Sequence, residues 1–288
     1  MRDLNYQLKK LCRHCREGAY GTQNKRERML TLMANQLYEL GYRGMTTRSL
    51  KPKHVEALVT HWFDQGLSIG TLKNRLAVIR WWAQKVDKQN VVARSNEHYG
   101  IPDRRFVTNE SKAKTVTRSQ LDKVRDEHVR MSLELQQAFG LRREEAIKFL
   151  PSFADRGDHL VLKASWTKGG RERTIPIRTE AQRDVLNRAR RLAGLGSLIP
   201  SNRNYVQQLR IYEGNTLRAG LSNMHGLRHA YAQNRYEELT GWKASAAGGP
   251  TAKTLTPEQR DSDRQARITV SRELGHEREQ ITAAYLGK

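Results

Sequence analysis

Only two cysteines occur in the 288 residues, Cys12 and Cys15. That scarcity excludes a disulfide framework and makes a reducing interior the simpler home. Cys12-Arg13-His14-Cys15 invites a zinc reading, but a structural site needs four ligands and there is no second cysteine pair. Leu8, Leu11, Cys12 and Cys15 share helical spacing, so the cysteines read as small core residues. No apolar run is long enough to cross a bilayer, and the polar start Met1-Arg2-Asp3-Leu4-Asn5-Tyr6 is unlike a signal peptide. A soluble, intracellular protein with no membrane partner is therefore expected. Internal repeats and low-complexity segments are also missing. Acidic residues are few: 30 Asp and Glu face 52 Lys and Arg, a formal charge of +22. Such a field attracts polyanions and selects nucleic acid as the partner. Five Trp, ten Tyr and a regular apolar period speak for folded domains rather than a basic tail.

The period of three and four predicts four helices before residue 90, near Tyr6–Cys15, Thr22–Leu40, Lys53–Gln65 and from Ser68 or Thr71 to Val86. No strand-like alternation interrupts them, so residues 1–90 form a small all-α domain. From 91 to 116 the period fades into a basic linker. A second domain, 117–288, starts with a helix from Thr117 to Glu127, another before Gly140 and a third around Arg143–Phe149. His159–Ser165 and Arg173–Ile177 are short β-like runs about a turn with two glycines, and so form a hairpin. Further helices follow near Thr179–Ala193, Asn204–Ala219 and Leu227–Leu239. Gly241–Thr256 reads as a loop, and Thr256-Pro257-Glu258 opens a helix reaching Leu274.

The chemistry-bearing residues fall in the second domain. His225-Gly226-Leu227-Arg228-His229 is followed by Leu274-Gly275-His276 and, nine residues later, by Tyr285. Imidazole, guanidinium and phenol together can attack a phosphodiester: arginine forks onto phosphate oxygens, histidine moves a proton near neutral pH and tyrosine can act as nucleophile. Upstream stand Gly140-Leu141-Arg142-Arg143-Glu144-Glu145 and the hairpin Thr167-Lys168-Gly169-Gly170-Arg171-Glu172-Arg173-Thr174-Ile175-Pro176-Ile177. Six positions in this order and context resemble the tyrosine recombinase (phage integrase) family over nearly the whole chain, with Gly66–Leu76 similar to the last-helix entry of its core-binding domain.

The resemblance implies a mainly α protein with one small β-hairpin. A four-helix, SAM-like core-binding domain would precede an α+β catalytic domain, the two clamping duplex DNA. It implies a site-specific recombinase that cuts and rejoins DNA through a 3′-phosphotyrosyl link, needing no metal, ATP or other cofactor. Tyr285 maps to the nucleophile and Lys168 to the general acid. Arg142, Arg228 and His276 map to phosphate contacts, His225 to proton transfer and Glu145 to an orienting acid. Lys73, Arg75 and Arg80 become candidates for DNA contact; a solvated helix face explains each equally well. His229 and Tyr231 read as packing residues. Expected partners are double-stranded DNA, further copies in a synaptic tetramer and accessory DNA-bending proteins. The expected setting is the bacterial cytoplasm and nucleoid, with a bacterial or phage gene. Arg228 and His276 lie 48 positions apart, wider than the family pattern, which implies an insertion at 241–265 forming a surface loop and a longer helix. The chain also ends three residues after Tyr285, leaving little of the tail that couples subunits in many relatives. The alternatives are type IB topoisomerase-like relaxation and a silent DNA-binding protein on the same fold.

Overall fold

Four apolar stripes at helical spacing fold into α1 (Asp3–His14), α2 (Tyr20–Glu39), α3 (Pro52–Asp64) and α4 (Ile69–Lys85) in a computed structural model that describes residues 3–167, 169–276 and 278–288. Local signals set the ends. Pro52 begins α3, where its missing N–H costs nothing, and the Ser68 hydroxyl caps α4 by accepting from the Thr71 N–H at 3.3 Å. The inner faces bury Leu8, Leu30, Met33, Trp62 and Trp82. Both indoles keep a partner: Trp62 donates to Gln36 Oε1 at 2.9 Å and Trp82 to the Thr47 carbonyl at 3.0 Å. Large aromatic area is thus buried without an orphaned donor. Cys12 joins this core, and burial pushes its thiol up to about 11, a structural rather than a reactive cysteine.

The chain divides into two compact units, Met1–Arg105 and Phe106–Lys288. That boundary falls within the stretch expected to link domains, much of which is folded in. Val92 and Ile101 close the core of the first unit. In the second, the Lys114 N–H donates to the Gly226 carbonyl at 3.0 Å and Val116 is buried. Isolated buried residues in a polar stretch carry no period, so sequence reading passes over them.

The second unit starts with α5 (Arg118–Asp122), shorter than expected because Asp126 caps a new helix by accepting from the Val129 N–H at 3.0 Å. That helix, α6 (Glu127–Phe139), packs against α7 (Arg143–Ile147) and, further along the chain, α9 (Glu180–Ala193) and α11 (Gly226–Thr240). Between them come α8 (Pro151–Ala154) and an antiparallel hairpin of β1 (His159–Leu162) and β2 (Arg173–Pro176). Leu160 faces Ile175 across the ladder and Leu162 faces Arg173, so β2 turns Arg173 and Ile175 inward together. The remaining helices are α10 (Tyr205–Arg218), α12 (Pro257–Glu273) and α13 (Ala283–Leu286). The mainly α fold with one small hairpin is thus as the sequence implies. Residues 241–256 form a loop, but one with an inner side: Ala244, Ser245, Ala246 and Leu255 are buried. A Cβ built on Gly287 would lie 2.7 Å from the Ala246 nitrogen, so this loop floors the end of α13.

Gly140 closes α6 with φ of 60°, and a Cβ there would lie 2.6 Å from the Tyr231 ring. Left-handed strain and overpacking together should make Gly140→Ala cost about 2–4 kcal/mol in urea unfolding. A change below about 0.5 kcal/mol would mean that the ring yields freely.

Candidate active site

Three elements of the second unit converge on one groove because a buried guanidinium ties them together. Arg228, in the first turn of α11, is 1% exposed. Its Nη1 donates to the Gly140 carbonyl at 2.6 Å, its Nη2 to the Leu274 carbonyl, and its Nε to the Tyr285 hydroxyl at 3.3 Å. Gly140 ends α6, Leu274 caps the end of α12 and Tyr285 sits on α13. Burial, then the nearby Arg173 charge, lowers the Arg228 pKa to about 10, so it stays cationic at neutral pH.

Arg142 is the N-cap residue of α7, and Glu145 stands one turn on. Arg142 donates its backbone N–H to Glu145 Oε2 at 2.6 Å, its Nη1 to Oε1 at 2.8 Å and its Nη2 to the Leu274 carbonyl at 3.3 Å. Glu145 is fully buried and takes a second fork from Arg173, whose Nη1 and Nη2 reach Oε1 and Oε2 at 2.7 Å each. Burial alone would raise this carboxyl, but Arg173 first, with Arg228 and Arg142, holds it down at about 2.

The Tyr285 ring lies among three imidazoles: centroids are 4.5 Å away for His229, 5.7 Å for His276 and 5.9 Å for His225. The hydroxyl of Tyr285 is also 3.3 Å from His225 Nε2, and its carbonyl accepts from Gln233 Nε2 at 2.9 Å. His276 Nε2 lies 3.5 Å from Arg228 Nη2. Burial, then Arg228 and Arg142, lowers both His225 and His276, the latter to about 4. An open groove of about 1610 Å³ meets these groups, with Arg142, His225, His276 and Tyr285 in its wall and Arg171 and Arg278 beside them.

Five of the expected site residues, Arg142, His225, Arg228, His276 and Tyr285, therefore stand together, with Glu145 beneath them. Lys168 lies outside the described residues; Thr167 and Gly169, its sequence neighbours, line the groove. Lys73, Arg75 and Arg80 belong to the first unit, and each has an internal partner. Lys73 pairs with Asp103 at 2.9 Å, Arg75 lies over the Trp62 ring at 5.1 Å, and Arg80 Nη2 donates to the Ala93 carbonyl at 2.9 Å.

Two family models match the sequence, "Phage integrase, N-terminal" over residues 1–92 and "Integrase" over residues 103–234. The chain belongs to the tyrosine recombinase (phage integrase) family. The second match includes Arg142, His225 and Arg228 and stops before His276 and Tyr285. Among curated proteins, none matches the sequence. Solved structures with the same fold include a lambda integrase tetramer bound to a Holliday junction, with 14% identity, a TM-score of 0.64 and coverage of 98% of this chain and 76% of that one. The Tn1549 transposon integrase in complex with circular intermediate DNA gives 14% identity, a TM-score of 0.59 and coverage of 100% and 96%. The XerH site-specific recombinase bound to difH substrate gives 18%, 0.54, 98% and 80%.

Sequence reading missed two contacts of this recombinase. Arg173 was visible only as part of the hairpin motif, and the signal for its burial is its strand register with Ile175. Gln233 carries no signal beyond its place five residues after Arg228 on α11. Among the described residues no helix is long and apolar enough to cross a membrane.

His229 is held near 4 by burial, with His225, Lys112 and Arg228 adding, and its Nδ1 has no partner among the described residues. In an unfolded chain both His229 and His276 would titrate near 6.5. As pH falls, the unfolded chain takes up these protons first. The folded state should then lose stability from about pH 6.5 downward, the loss levelling off below about pH 4. Urea midpoints at pH 7 and pH 5 check this, and His229→Phe should shrink the difference. An unchanged difference in that variant would remove His229 from the account.

Proposed function

We propose that this recombinase cuts and rejoins double-stranded DNA at a specific site by transesterification, with Tyr285 as nucleophile and a 3′-phosphotyrosyl link as intermediate. The double hold on the Tyr285 hydroxyl carries this reading: Arg228 Nε and His225 Nε2 each lie 3.3 Å from it at the groove wall. Neutral His225 takes the phenolic proton as the oxygen attacks phosphorus. The bond to the 5′ oxygen breaks, and Lys168 supplies the proton to that leaving group. Resealing reverses these steps with a 5′ hydroxyl as attacker. The phosphotyrosyl link conserves the bond energy, so the proposed steps draw on no nucleotide, metal or other cofactor.

Charge decides which state the cluster favours. Arg142, Arg173 and Arg228 surround a single carboxylate, Glu145, leaving an excess of two positive charges. A phosphodiester carries one negative charge, and the pentavalent transition state approaches two. Arg142 and Arg228 on the non-bridging oxygens therefore bind the transition state better than the substrate. The entering anion also favours the protonated form of His276, which can then donate a charge-assisted hydrogen bond to the same phosphate.

The net charge draws duplex DNA to the protein, and Lys73, Arg75 and Arg80 are proposed contacts from the first unit. Lys73 is the simplest of the three, since its partner Asp103 is fully exposed at 106% and exchange for a phosphate breaks one surface pair. Self-association into a tetramer on DNA is proposed from the assembly named for lambda integrase.

A nicked suicide duplex carrying the protein's own attachment site tests the reading. The wild type should form an adduct that survives SDS. Tyr285→Phe should bind the duplex within about twofold of the wild type, since loss of one solvent-poor hydroxyl leaves the phosphate contacts in place, and form no adduct. An adduct with the Phe variant would mean that another residue is the nucleophile.

A further inference from the structure

Arg173 lies on the hairpin, is almost wholly buried and, beyond its charge, touches neither the phosphate nor the tyrosine in the steps proposed above. Its guanidinium forks onto both oxygens of Glu145 at 2.7 Å, and Glu145 in turn holds the backbone and side chain of Arg142. The stem of Arg173 has a second neighbour. Gly275, with φ of 64°, comes down on it so closely that a Cβ would lie 2.8 Å from Arg173 Cδ and 3.1 Å from Nη1. A glycine is needed between Leu274 and His276 for two reasons, the left-handed backbone and the side chain beneath it. One residue thus touches the arginine box at one end and the Leu274-Gly275-His276 turn along its length.

We propose that Arg173 is a positioning residue that fixes β2, the Arg142–Glu145 pair and the His276 turn in one frame, and so sets where Arg142 and His276 meet the scissile phosphate. This rests on the cleavage reading above. Arg173 acts through Glu145 and Gly275 rather than on the phosphate, so its chief contribution is geometric. A planar fork is required because both carboxylate oxygens must be held while Arg142 uses the same two atoms. Lysine keeps the charge but supplies one point donor, leaving Glu145 free to rotate and Arg142 with it. The same frame carries the hairpin, so the turn at Thr167 and Gly169 is tied to the position of Arg142.

The test uses the full chain, with single-turnover cleavage of the suicide duplex at saturating protein, DNA affinity and thermal melting measured in parallel. Arg173→Lys should melt cooperatively and bind DNA within about threefold, because the charge is kept. It should cleave on the order of tenfold to a hundredfold more slowly, the range expected when a reacting group is displaced by about an ångström. Glu145→Gln should show a similar loss, and the double variant should be little slower than the worse single variant, since both break one linkage. A purely structural role would lower melting and leave the rate of the folded fraction unchanged. Wild-type cleavage by Arg173→Lys, or losses that multiply in the double variant, overturns the proposal. If Arg173→Lys does not fold, Gly275→Ala decides: it keeps every charge, strains the left-handed turn and presses that turn against the stem. It should slow cleavage in folded protein, and a wild-type rate would overturn the proposal. Absence of any adduct with wild-type protein would instead reject the cleavage reading itself.

Discussion

The buried charge of Arg228 is the constraint on which the site depends. An ion removed from water to this degree is costly, by several kcal/mol, unless its donors are met and opposite charge is near. The Gly140 and Leu274 carbonyls and the Tyr285 hydroxyl take three of its five N–H donors, and Glu145 supplies the nearby negative charge. Those acceptors are the ends of α6 and α12 and the side chain of α13. Satisfying one guanidinium therefore fixes three elements, and with them the starting points of the arginine box, the His276 turn and the tyrosine helix. Fold stability and site geometry are the same set of bonds here.

Much of this was legible from sequence where geometry is set within a single element. Arg142 and Glu145 lie one helical turn apart, as do His225 and Arg228, so their spacing survives as a motif. The motif order and the nine-residue step from His276 to Tyr285 carried the rest of the assembly. What stayed hidden depends on contacts between elements. Arg173 is one basic residue among several in the hairpin until strand register turns it inward toward Glu145. Lys73, Arg75 and Arg80 look alike on a helix, yet one pairs on the surface, one lies on an indole and one serves a backbone carbonyl. The break after α5 was masked because Asp126 is a polar residue in a polar stretch, and only its cap to Val129 shows that a new helix begins. The loop at 241–256 has small residues that sequence reading assigns to solvent; Ala244 and Ala246 are buried because the end of α13 rests there.

Burial explains first why the imidazoles are neutral, and the neighbouring guanidiniums add to it. Burial, then the charges of Arg228 and Arg142, lowers His225 and His276, leaving His225 able to accept a proton at neutral pH. Glu145 limits that effect by neutralising one of the three charges. The proposed reaction needs both conditions at once, an excess of positive charge for the phosphate and a neutral base beside the phenol.

In the proposed reaction the arginines act through the charge that develops on the non-bridging oxygens. Replacing one of these oxygens at the scissile phosphate by a methyl group makes the linkage neutral and removes that charge. Cleavage rates of the phosphate and methylphosphonate duplexes, compared between wild type and Arg142→Ala, measure the claim directly. Arg142 can be removed while Arg173 still satisfies Glu145. The variant should lose on the order of a hundredfold on phosphate and at least about tenfold less on the neutral linkage. An equal loss on both substrates would contradict it, leaving Arg142 a steric support rather than an electrostatic one.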